Sequence, residues 1–96
     1  MTLFLVEHHL RDVGEGHLAA LRDALHEIAS RLDGAVDGQR IRYVRSTVVT
    51  GQDRCICLFE ATSEALVQRA NELAQVPIAS MAPAVDYLIT DERKDP

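Results

Sequence analysis

The chain has no tryptophan, and its aromatic residues are limited to Phe4, Phe59, Tyr43 and Tyr87. Its core must therefore be built from Leu, Val, Ile and Ala. Positive charge is scarce: 10 Lys and Arg stand against 15 Asp and Glu, for a net charge of -5. Nucleic acid is not an expected partner, because it is held by a basic face. An anionic membrane surface is not expected either, for the same reason. No apolar run approaches the roughly 20 residues of a membrane span. The N-terminus enters a strand-like run directly, without a basic leader before a long apolar stretch, so no secretory signal is expected. The two cysteines, Cys55 and Cys57, are too close in sequence for a well-formed disulfide. Reduced thiols point to the cytoplasm.

Ninety-six residues, nearly half of them apolar, make one domain with a thin core that association would help. Residues 1–90 are expected to form that domain, and 91–96, "DERKDP", a charged tail. "LFLVEHH" (Leu3 to His9) alternates as a strand, with Leu3, Leu5, Glu7 and His9 on one face and Phe4, Val6 and His8 on the other. "RDVGEG" follows as a loop. Leu18, Leu21, Leu25, Ile28 and Leu32 recur at helical spacing and predict a helix over Glu15 to Leu32, stopped at Asp33-Gly34. "IRYVRSTVV" (Ile41 to Val49) is a second strand rich in β-branched residues, and "TGQD" a hairpin turn. "RCICLFE" (Arg54 to Glu60) is a third strand. Thr62 or Ser63 caps a second helix that reaches about Gln75 and buries Leu66, Ala70, Leu73 and Ala74. "IASMAP" is then a loop, and a fourth strand is expected from Ala84 to Thr90.

This order, β-α-β-β-α-β, with right-handed crossovers, gives a ferredoxin-like α+β fold: a four-stranded antiparallel sheet with two helices on one face. The first and third strands are apolar on both of their faces, whereas a sheet covered once should alternate. Two helices cover one face, and the economical cover for the other is an identical sheet. The expected assembly is a homodimer, a dimeric α/β barrel with a pocket between its sheets. With a regular register that pocket is lined by Leu5, Glu7, His9, Tyr43, Arg45, Ile56, Leu58 and Glu60, with Arg45 beside Glu60 as an ion pair.

Glu7 and His9, with His8 next to them, carry donors that suit a first-row transition metal. Isolated polar residues at a strand end are also common on ordinary surfaces. Cys55 and Cys57 form one pair where zinc sites use two, and read better as core residues. His17 and His26 read as surface residues. No nucleophile elbow, phosphate-binding loop or dinucleotide fingerprint is present.

"FLVE", "YVRSTV", "CLFEATSEA" and the "VP" after the second helix resemble a family of small bacterial proteins, mostly of unknown function, that includes a nickel-binding protein. Glu7, Tyr43, Val44, Ser46, Cys57, Phe59, Glu60 and Ala61 match its pattern. The resemblance implies a ferredoxin-like fold, a dimeric barrel and Ni(II) or another divalent metal as cofactor. Arg45 stands where members often carry His, and a guanidinium that stays protonated ligates no metal. "IASMAP" replaces a charged segment. Glu7, His8 and His9 are then the expected metal residues of a binding protein rather than an enzyme. The alternatives are a small-organic-ligand barrel of the cofactor-independent monooxygenase kind, with Tyr43, Arg45 and Glu60 orienting the substrate and Glu7 and His9 moving protons, and an interaction module without a ligand.

Overall fold

A computed structural model describes residues 1–87. The tail 91–96, and residues 88–90 of the expected fourth strand, lie outside the described residues. The elements are β1 (Thr2–His8), α1 (Leu10–Val13), a 3₁₀ turn (Glu15–His17), α2 (Leu18–Leu32), β2 (Ile41–Val49), β3 (Arg54–Ala61), α3 (Glu64–Leu73) and β4 (Ser80–Ala84). The sheet order is β2-β3-β1-β4, and every neighbouring pair is antiparallel. The fold is α+β and ferredoxin-like, as the order of apolar segments predicted.

Helix α2 lies over the sheet because its apolar stripe has nowhere else to go. Leu21, Leu25 and Ala29 are buried, with Leu18, Ile28 and Leu32 packed at the margin. Helix α3 starts where Ser63 accepts a hydrogen bond from the backbone N–H of Leu66. It stops where Gln75 turns into the left-handed region at φ 60°, before Pro77 is reached. Its buried face is Leu66, Val67, Ala70 and Asn71. Leu73 points outward, contrary to expectation, and is 44% exposed. The two helices meet the side of the sheet that carries Phe4, Val6, Cys55, Cys57, Phe59 and Ala61, which form the core.

The end of α2 is tied to the start of β2 by one carboxylate. Asp33 accepts from Arg40 Nε at 2.7 Å and from the backbone N–H of Ile41 at 3.0 Å. Those two donors hold its carboxyl below the usual range.

The segments around the sheet differ from expectation in three ways. Strand β1 ends at His8, and His9 turns the chain into α1, where a loop was expected. The regular helix begins at Leu18 rather than Glu15. The fourth strand is Ser80–Ala84, so it lies mostly in the segment expected to be a loop and ends at Ala84, where the expected strand was to begin. Pro83 is tolerated there because β4 is an edge strand, so its missing N–H leaves no ladder bond unmade on the free side.

Candidate functional site

The side of the sheet away from the helices is built from alternate residues of all four strands. Cross-strand register sets them in rows. One row runs Arg42, Glu60, Leu3, Ala84. The next runs Arg45, Leu58, Leu5, Ala82. The third runs Thr47, Ile56, Glu7, Ser80. Leu5, Glu7, Arg45, Ile56, Leu58 and Glu60 thus share the face on which they were expected.

Tyr43 does not. A bulge at Val44 breaks the β2–β3 register, so that Tyr43 is opposite Phe59 and Arg45 opposite Leu58. One extra residue reverses the alternation, and the strand mixes the two side-chain sets that a regular strand would keep apart. Tyr43 packs edge-on against Phe59 on the helix side, with ring centroids 5.5 Å apart. Its hydroxyl shares a hydrogen bond with Ser46 Oγ at 2.5 Å, and Ser46 Oγ lies 3.0 Å from Cys57 Sγ. Burial raises the Tyr43 phenol above its ordinary value. It also pushes the Cys57 thiol up to about 12, which favours the neutral thiol over the nucleophilic thiolate at neutral pH.

Most charges of the open face are tied across strands. Arg54 donates to both carboxylate oxygens of Glu7, at 3.1 and 3.2 Å. Glu60 is held by Arg42, not by Arg45 as expected, because the bulge brings Arg42 directly opposite it. Arg45 has no ion-pair partner among the described residues. A cleft of about 530 Å³ opens at the Arg42–Glu60 end, with Leu3, Ala84 and Asp86 among its walls.

The expected metal residues Glu7, His8 and His9 are not brought together. Three consecutive residues leave an extended chain in alternating directions, and here they reach three environments. Glu7 lies on the open face with Arg54. His8 is fully buried on the helix side, where Nδ1 donates to the carbonyl of Pro77 at 2.8 Å. Its Nε2, and Oδ1 of the equally buried Asn71, have no hydrogen-bond partner. Burial lowers the His8 pKa below the ordinary 6.5, while the Pro77 carbonyl and the Asn71 side chain push the other way.

His9 is off the strand and therefore outside the open face on which it was expected. Its Nδ1 lies 3.5 Å from Asp53 Oδ2 in the hairpin turn, and both side chains are about 40% exposed. Arg11 reaches the same oxygen at 3.1 Å, and its backbone N–H donates to Asp53 Oδ1 at 2.8 Å. Asp53 was read only as a turn residue. The signal was present in the register: β1 and β3 are antiparallel with His8 opposite Cys55, which brings the start of β3 beside the end of β1.

Imidazole and carboxylate suit a divalent first-row metal. Among the described residues, however, no three His, Cys, Asp or Glu side chains converge to hold an ion. His9 and Asp53 bring two such donors side by side. No helix of the described residues is long and apolar enough to cross a membrane.

A search of curated proteins gives no match. Among solved structures, the fold is similar to the crystal structure of SCO4226 from Streptomyces coelicolor A3(2), with a TM-score of 0.71 at 15% identity over 90% of this chain and 99% of that one. At that identity the likeness speaks for the fold alone. The family model described as nickel responsive protein SCO4226-like matches residues 4–83. That span runs from the core face of β1 through the bulged hairpin and α3 into β4, so the chain belongs to the nickel-responsive, SCO4226-like protein family.

Proposed function

We propose that this chain is a small cytoplasmic binding protein that takes a divalent transition metal, nickel by family, and works as a homodimer joined through its open sheet faces. The metal reading is carried by one observation: His9 and Asp53 lie side by side, exposed, at the end of β1. Two donors fall short of the three or four that a first-row metal takes, and a two-fold axis doubles them to four. Glu7, two residues before His9, is committed to Arg54 and joins the metal only by giving up that pair. His8 is buried on the helix side and is left out of the proposed ligand set. Nickel held by these donors would compete with Arg11 for Asp53 and so link metal occupancy to α1.

Titration of Ni(II) into the full chain by calorimetry, with Zn(II) alongside and light scattering on the same samples, tests this. Saturable Ni(II) binding that is lost in His9→Ala and in Asp53→Asn is expected, on a particle of twice the chain mass. Absence of binding by an intact dimer would rule out the metal reading. Binding that survives both substitutions would move the site elsewhere.

A further inference from the structure

The five charged residues that β2, β3 and β1 place on the open face are Arg42, Arg45 and Arg54 against Glu7 and Glu60. Three positive and two negative charges leave +1, on a chain whose net charge is -5. Two of the cations are taken by the two carboxylates, in the pairs Arg42–Glu60 and Arg54–Glu7. Arg45 is the charge left over. It stands at the head of a row whose other members, Leu58, Leu5 and Ala82, carry no polar side-chain atom. Leu58 is only 6% exposed, so the middle of this row is already nearly dry in a single chain.

A second sheet laid over this face would enclose Arg45, and an enclosed guanidinium without an anion is costly. The register offers it none, since its cross-strand neighbour is Leu58 and the nearby Glu60 already faces Arg42. The missing partner carries one negative charge and accepts from a planar fork of N–H donors, which describes a carboxylate. The rest of that molecule would lie along Leu58, Leu5 and Ala82. These span two strand spacings, roughly 10 Å, and offer no side-chain hydrogen bond, so the body must be apolar.

We infer that the open face binds a small monocarboxylic acid with an apolar body, its carboxylate on Arg45 and its body across Leu58 and Leu5. The site is separate from His9 and Asp53, which lie off the sheet end. The inference rests on the face-to-face pairing proposed above, which supplies the enclosure.

Benzoate and hexanoate, with benzyl alcohol and hexanol as neutral counterparts, are titrated into the metal-free full chain by calorimetry, and light scattering reports the mass of each sample. Both acids are expected to bind saturably and the alcohols at least about tenfold more weakly, with a similar loss for the acids in Arg45→Gln. Arg45→Lys, which keeps the charge without the fork, should recover part of the affinity. Arg45 is exposed, so its substitution leaves the core untouched. A dimer that takes neither acid, or an Arg45→Gln variant that binds them as wild type does, overturns this inference and leaves the pairing in place. A monomer at the concentrations used overturns the pairing, and the enclosed site with it.

Discussion

The helix side of the sheet and its open side are made by the same four strands, yet they treat polar groups in opposite ways. On the helix side, Tyr43, Ser46 and Cys57 share contacts around a buried apolar core, and the His8 ring is tied to Pro77. That side is complete within one chain. On the open side, charges are tied in cross-strand pairs over Leu3, Leu5, Ile56 and Leu58, with a cation left over. The first side is a core. The second is a mixed face, because paired charges over partly buried leucines can meet either water or a second sheet.

Removing bulk from each side is the strongest way to break this contrast. Phe59→Ala empties a fully buried position between Tyr43 and the helices and is expected to cost about 3–5 kcal/mol in urea unfolding. Ile56→Ala, on the open side, should cost much less in dilute protein. Its cost should grow with protein concentration if a second copy covers the face. Equal costs at every concentration would mean that both sides are finished within one chain.

A smaller effect separates the two sides by pH. The His8 pKa is lowered in the folded protein by burial, so the unfolded chain binds a proton more readily than the folded one. Stability from this group is full above the ordinary 6.5. It falls as pH drops below that value, by up to about 1.4 kcal/mol per pH unit until the lowered folded pKa is reached. Urea midpoints measured between neutral pH and pH 5 should show this loss. His8→Gln, which keeps a donor for the Pro77 carbonyl, should flatten it. An unchanged slope in that variant would assign the loss to other groups.

The same contrast explains what the sequence made legible. Helical spacing of leucines found α2, and apolar or β-branched runs bounded by turn residues found β1, β2 and β3. It did not find the bulge at Val44, since "YVRSTV" alternates plausibly in either register, and so it set Tyr43 on the wrong face. Nor did it find β4. "SMAPA" carries a proline and little β-branching, and its strand is made by pairing with β1 rather than by local preference. The segment after Ala84 was the better strand by composition alone. The placement of His9 turned on where β1 ends. Had β1 run on through His9, that ring would share the face of Glu7, but the chain turns into α1 at that point and delivers it to Asp53.

The smallest expected effect is the sharpest test of whether the open face is covered. Glu7 and Arg54 form a forked pair whose Glu7 side chain is 24% exposed and whose Arg54 side chain is 44% exposed. A double-mutant cycle with Glu7→Gln and Arg54→Gln isolates their coupling from whatever else each side chain does. With water on the open face the pair is screened, and the coupling should lie near the error of a urea titration and vanish in high salt. With a second sheet over it, the same fork loses its screening. Each single variant would then leave an enclosed charge without its partner, so both should destabilise the assembly more than the double variant does. Salt would then change the coupling little. The geometry within one chain is identical in the two cases, so the coupling and its salt dependence report what lies on the other side of the face.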